Sequence, residues 1–303
     1  MFENRTRQWD VAQVAPVPRS VLAAHATELD HPGRFGLLLT TNDLPQGVSG
    51  TDWITHDEGG WHIEDRPARW LLQGAKGIAQ VGQQTFALVG LATNDLWRLD
   101  PGAGWQKEPS IPGGFGGVLS GNSTHLHLCV MDQQSNVVFL SRTPQEIAYQ
   151  QRILHQAAQP GVGSVQCVLA SQDAQAPSVA WFAPLVSPGV AVDQNLYAVD
   201  LRQPSLEVQN LGPGSPLAMA AGKAGLFLLA KPVQANEAEH LWHEVAGQWE
   251  PCPPKSVEDA TGQRGQLALV RWGAEAALAG SAIFPRPQGN VTVQPLTRSM
   301  DCL

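Results

Sequence analysis

Short apolar runs alternate along this chain with polar turns rich in glycine and proline, and the same unit recurs from end to end. Six runs carry the pattern: RFGLLLTT, TFALVGLA, THLHLCVM, SVAWFAPL, AGLFLLAK and GQLALVRW. Apolar runs of this length between turn residues read as strands. Each is followed by a hairpin that begins on an aromatic or apolar anchor. The anchors are Phe2, Trp53, Trp97, Phe139, Tyr197, Trp242 and Phe284. Four hairpins carry a second aromatic beyond the turn, pairing Phe2 with Trp9, Trp53 with Trp61, Trp97 with Trp105 and Trp242 with Trp249. Successive anchors lie 42 to 58 residues apart, close to the length of about 40 to 50 residues of a four-stranded propeller blade. Small-residue stretches such as GGVLSG and LAMAAG precede several of the runs. They suit innermost strands, where blades crowd the axis. The strongest helical candidate, residues 143–159, reads in its first half as a strand with a decorated turn.

The expected fold is therefore all-β: a single β-propeller domain over residues 1–303, built of four-stranded antiparallel blades. Six blades are expected, because six inner runs are visible. The alternative is seven, with one irregular blade. In either case the hairpin at residues 1–17 is expected to close the ring, since an open ring exposes strand edges. Each aromatic pair is expected to share one face and pack its blade against the next. Residues 184–195 read as a loop inserted within a blade, which lengthens one interval.

Composition agrees with many short strands. The 303 residues include 30 Gly and 23 Pro, and only 15% are charged. Glycine and proline punctuate turns. The formal charge is −8, against the clustered basic residues that nucleic acid requires. No apolar run is long enough to span a bilayer, and the opening MFENRTRQWD lacks the apolar core of a signal peptide. The cysteines at 129, 167, 252 and 302 show no metal-type spacing. A cytoplasmic protein without a cofactor, binding neither nucleic acid nor membrane, is expected; oligomeric state stays open.

The hairpin WITHDEGGW resembles an Asp-box, the turn of BNR-repeat, sialidase-like propellers. Thr55, Asp57, Gly59 and Trp61 carry the match, with one residue fewer before the tryptophan. The resemblance implies that Asp57 bonds amides of its own turn and that Gly59 supplies a positive φ. It implies a structural role, not a catalytic one. WRLDPGAGW keeps Asp100, Gly102 and Trp105. The catalytic signature of that family is missing: there is no Phe/Tyr-Arg-Ile-Pro segment, and the two tyrosines, Tyr149 and Tyr197, fall at outer hairpins.

Three constellations could carry chemistry. His125, His127 and Cys129 alternate along THLHLC and would share one strand face. Those donors suit zinc, but no fourth ligand is suggested, and a polar face against a neighbouring blade is the preferred reading. His240, Trp242 and Glu244 share a face of EHLWHE and offer a binding edge of aromatic plus charge. The bland reading there is an outer strand with a packed tryptophan. The cluster of His56, Asp57 and Glu58, with Asp30, His31 and Asp43 upstream, offers an Asp–His pair, yet Asp57 is already occupied as a turn former.

Two functions remain. One is a non-catalytic propeller that recognises a protein or carbohydrate through loops at one face. The other is a glycosidase-like hydrolase or lyase with its site at the central mouth. Convergent carboxylates or arginines at the axis would favour the enzyme. Small apolar residues and glutamine there would favour binding.

Overall fold

The computed structural model describes residues 2–3, 8–9, 20–29, 34–43, 48–91, 93–156, 163–170, 179–186, 195–222, 225–231, 240–245, 247–252, 264–272, 275–285 and 291–299. Six antiparallel meanders follow one another along them. The first joins Ser20–Glu28, Phe35–Asp43, Val48–Asp57 and Gly60–Ile63; the second joins Gly74–Val81, Gln84–Gly90, Asn94–Asp100 and Gly104–Lys107. The third runs through Phe115–Gly121, Leu126–Met131, Val137–Arg142 and Gln150–His155, and the fourth through Gly163–Ala170, Val179–Val186, Asn195–Asp200 and Val208–Pro213. The fifth comprises Ser215–Gly222, Gly225–Lys231, His240–Val245 and Gln248–Cys252, and the sixth Arg264–Trp272, Glu275–Pro285 and Val291–Ser299. The first strand of each sheet lies against the first strand of the next. The sheets are therefore blades of a β-propeller, with those strands innermost.

Crowding at the axis leaves a mark on the backbone. Five innermost strands slip register near their start, between Val21 and Ala23, Ala75 and Gly77, Phe115 and Val118, Pro216 and Ala218, and Arg264 and Leu267. Such a bulge sharpens the twist of a strand. At Gly117 φ is 90°, and a Cβ there would lie 2.0 Å from the Cys129 carbonyl oxygen, so only glycine fits.

Packing is between blades, and strand alternation assigns each side chain to one interface. On Leu126–Met131, Leu126, Leu128 and Val130 face the second blade, while Cys129 and Met131 face the fourth. Buried on both sides, such a strand needs a continuous apolar run. The cluster between the first and second blades holds Trp53, Trp70, Trp97 and Trp105. The one between the fourth and fifth holds Trp181, Leu196, Leu228 and Trp249.

The hairpins lie where the aromatics place them, and three of the four aromatic pairs share a face as expected, Phe2 standing directly opposite Trp9, while the pair of the first blade does not. Trp97 faces Lys107 and Trp105 faces Leu99, so these two tryptophans are diagonal neighbours on one face. Trp242 faces Pro251 and Trp249 faces Glu244, again one face. Trp61 instead faces His56, on the side of the sheet opposite Trp53. The cause is turn length. An eight-residue spacing around the three-residue turn at 101–103 keeps the face, as does a seven-residue spacing around a two-residue turn. The first blade combines the eight-residue spacing with a two-residue turn, Glu58–Gly59, and the period of two flips its second tryptophan. Trp61 rests edge-on against His56, ring centroids 4.7 Å apart. Trp70, from the 3-10 turn Ala68–Leu72, completes the inter-blade cluster instead.

Two further expectations are adjusted, and two fall largely outside the described residues. GQLALVRW forms the innermost strand of its sheet, not the second, so three strands of that sheet are described. The helical candidate is a turn over 143–149 followed by strand Gln150–His155, and residues 157–159 lie outside the described residues. Phe2–Glu3 pairs with Gln8–Trp9 in a sheet of its own; the rest of the 1–17 hairpin lies outside the described residues, as does most of the 184–195 insertion. No helix among the described residues is long and apolar enough to cross a membrane.

Candidate functional site

The strands at the axis are poor in acid–base groups. Their sequences supply mostly Gly, Ala, Ser, Val and Leu; among the six described innermost strands Glu28 is the one carboxylate, and Lys76, Arg264 and Arg271 are the cations. His25 sits on the first of these strands. Burial holds its pKa below the ordinary value, against a hydrogen bond with the Ala75 backbone.

Polar hollows lie instead at the rim, between the outer hairpins of adjacent blades. A cleft of about 380 Å³ opens between the first and second blades, with Trp53, Thr55, Glu64, Thr85, Asp100 and Trp105 in its lining. Trp105, second residue of its outermost strand, meets Trp53 edge-on at 5.4 Å and 87°. Thr55 donates to Glu64 Oε1 at 2.6 Å. Asp100 Oδ1 accepts the Gly102 and Ala103 amides at 2.9 and 3.2 Å. Arg34 also lines the cleft.

A second cleft, of about 480 Å³, occupies the corresponding place between the fourth and fifth blades. Trp249, again second in its outermost strand, meets Trp181 at 4.8 Å and 81°. Gln209 brackets the Trp249 backbone, accepting its N–H and donating to its carbonyl, both at 3.3 Å. Asp200 and Glu244 lie in the lining. Arg202 donates to both Asp200 oxygens, at 2.9 and 2.8 Å, and stands 4.0 Å from Glu244. Hydrogen bonds from Arg202 hold the Asp200 carboxyl below the usual carboxylate range.

The predicted residues scatter over this frame. Glu244 lines the second cleft, whereas Trp242 packs partly buried on the cluster behind it. The backbone of His240 pairs with Ala230; its side chain lies outside the described residues. His125, His127 and Cys129 do share a face, but with different neighbours. The His127 ring stacks between His125 and Phe139, at 6.1 and 5.6 Å, and Cys129 meets Cys167 of the fourth blade. Burial lowers the His127 pKa to about 4 and raises that of the Cys167 thiol. Among the described residues no group of three His, Cys, Asp or Glu side chains converges to hold a metal ion.

In the Asp57 turn, Oδ1 accepts the Gly59 amide at 2.8 Å and lies 3.1 Å from His62 Nε2. The positive φ belongs to Gly60, at 105°, not to Gly59, because Gly60 is the residue paired with Asp57 after the turn. Asp30 and His31, and the side chain of Asp43, lie outside the described residues. Glu64, Gln209 and the clefts themselves were not anticipated. Their one local signal is the tryptophan that follows the outer turn in both GW and QW.

No protein-family model matches the chain, and no curated protein does. Solved structures do. One, described as YjhT, is similar over 95% of this chain and 99% of its own, with a TM-score of 0.53 and 11% identity. Another, an arginine-to-alanine triple mutant of AofleA from Arthrobotrys oligospora, is similar over 91% of this chain and 86% of its own, with a TM-score of 0.51 and 10% identity. At such identities the likeness is one of fold, and that fold is propeller-like.

Proposed function

We propose that this protein is a recognition module, a propeller that binds its ligand at the rim and turns nothing over. One observation carries the reading: the described axial strands offer a single carboxylate, while concave polar surface with buried tryptophan lies between blades. Small-ligand sites are mostly concave and combine apolar walls with a few placed polar groups. The outer carboxyls Asp57, Glu146 and Asp200 are each held below the usual carboxylate range by hydrogen bonds from their neighbours. Such groups accept hydrogen bonds; a general acid needs the opposite shift. The test pairs a glycan and protein binding screen with a panel of chromogenic glycosides. Saturable binding without turnover is expected. Turnover that is abolished by Glu28→Gln would place the function at the axis and refute this reading.

Three lesser assignments go with it. Kinship with Asp-box propellers is supported by the Asp57 carboxylate bonded within its own turn. A single ring sealed by the N-terminal hairpin is supported by the three described strands of the sixth sheet, which leave room for a fourth. A reducing, cytoplasmic setting is supported by Cys129 and Cys167, which meet as free thiols.

A further inference from the structure

We propose that the two rim clefts are paired saccharide subsites, making a single chain bivalent. This rests on the recognition reading above and adds to it the ligand class and the number of sites. The clefts are copies of one position, three blades apart. In each, the tryptophan that opens the outermost strand of one blade inserts edge-on against a tryptophan of the preceding blade. The partner differs: Trp53 comes from the third strand of its blade and Trp181 from the second. Both volumes fall at the low end of the range of about 300–1,000 Å³ for small-molecule sites, the size of a sugar unit and not of a folded partner.

The lining selects among small ligands. A phosphate needs clustered cations, and Arg34 is the one Lys or Arg in the two linings. A metal cation needs several carboxylates that converge on it, and among the described residues no three His, Cys, Asp or Glu side chains do so. Four of the six carboxylates in the two linings already have neighbours. Arg202 pairs with Asp200 and faces Glu244, Thr55 donates to Glu64, and turn amides occupy Asp100. What remains is a hydrogen-bonding surface of both senses, acidic on balance, beside the edge of a buried indole. Carboxylate and hydroxyl oxygens accept, the amides of Gln83 and Gln248 donate and accept, and both glutamines are exposed at their clefts. Vicinal hydroxyls on a ring with an apolar face match that surface.

The experiment titrates the full chain calorimetrically with methyl glycosides of common hexoses. Any that bind are then offered as multivalent polymer conjugates. Two variants each empty one cleft, Glu64→Ala with Gln83→Ala, and Glu207→Ala with Gln248→Ala. Melting temperature serves as the check on folding, and Gln83→Ala or Gln248→Ala alone replaces a pair that misfolds. Two sites per chain are expected, with precipitation of the conjugate. Either variant should weaken its own cleft at least tenfold, leave one site, and abolish precipitation. Linked sites gain about 10²- to 10⁴-fold in avidity, and that gain should vanish with either cleft. One site per chain, or precipitation that survives either variant, overturns the pairing and leaves the recognition reading intact. Saccharide binding indifferent to both variants overturns the clefts alone. Absence of any hexoside binding overturns the ligand class, while the recognition reading is decided separately by the turnover assay.

Discussion

Mild acid should destabilise this protein through its buried imidazoles, of which His127 is the more strongly shifted and His25 moves in the same direction. His127 is 2% exposed, flat between His125 and Phe139, with the Asn122 amide 3.3 Å from Nε2. Burial, then the nearby His125, lowers its pKa from 6.5 to about 4. The sign follows from proton counting. The unfolded chain takes up the proton near pH 6.5 and the folded chain only near 4, so the unfolded state binds more protons between them. Stability is full above pH 6.5 and falls as pH drops through that window. At about 1.4 kcal/mol per unit, the total loss below pH 4 is about 3 kcal/mol. Between pH 7.5 and 5 it is about 2 kcal/mol. For a chain of 303 residues this lowers the melting temperature by about 3 °C. The assay is urea unfolding at both pH values, in the native protein and in His127→Phe, which keeps a ring against Phe139 and cannot titrate. The variant should lose about 2 kcal/mol of the pH difference, and the contribution of His25 should remain. A difference of equal size in both proteins, or an NMR titration of His127 with a midpoint above 6, would refute the reasoning.

Two substitutions test the packing. Trp249→Ala, at a buried inter-blade ring, should cost about 3–5 kcal/mol in chemical unfolding. Trp61→Ala, off the cluster and beside His56, should cost less than about 1 kcal/mol; equal costs would contradict the opposed faces. Gly117→Ala drives a Cβ into the Cys129 carbonyl at a φ of 90° and should destabilise by about 1–3 kcal/mol or more. An unchanged melting temperature would mean that the bulge is not as tight as drawn.

The rhythm of the fold was legible because it is local. Each turn announces itself through glycine and proline, and each hairpin through its anchoring aromatic. The fate of a particular tryptophan was not. Trp61 and Trp105 each stand eight residues beyond their anchors, and only the length of the intervening turn sends them to opposite faces. The phase of the last sheet was hidden for a similar reason: GQLALVRW is as apolar as any second strand, yet the run AALAGSA that follows takes the second place. The clefts were least visible. Glu64 and Trp105 belong to different blades and meet only when the blades stack. Of the two described side chains of the trio placed on one strand, Glu244 reaches a cleft, while Trp242 is drawn into the cluster behind.

The same stacking explains why the rim is open at some interfaces and closed at others. Glu64 and Glu108 are equivalent: each follows its outermost strand, and each N–H bonds the third strand of its own blade, at the Trp53 and Leu96 carbonyls. Beside Glu64 the next blade presents Leu99 and Asp100, and a cleft remains. Beside Glu108 it presents Arg142, the last residue of the corresponding strand and only 3% exposed. Arg142 donates to Glu108 at 2.9 Å and to the Glu146 carbonyl, and lies over the rings of Phe86 and Tyr149. The arginine fills the place that the cleft occupies one blade earlier. Between the third and fourth blades another arginine does similar work, Arg152 donating to the carbonyls of Leu201 and Gln203 at 2.6 Å each. The buried Arg142 guanidinium needs every partner it has, so that interface is committed to holding the ring together. The interfaces that use tryptophan take their stability chiefly from buried area. The polar groups left exposed at those clefts, the amides of Gln83 and Gln248 among them, take no part in holding the blades together in the way that Arg142 does.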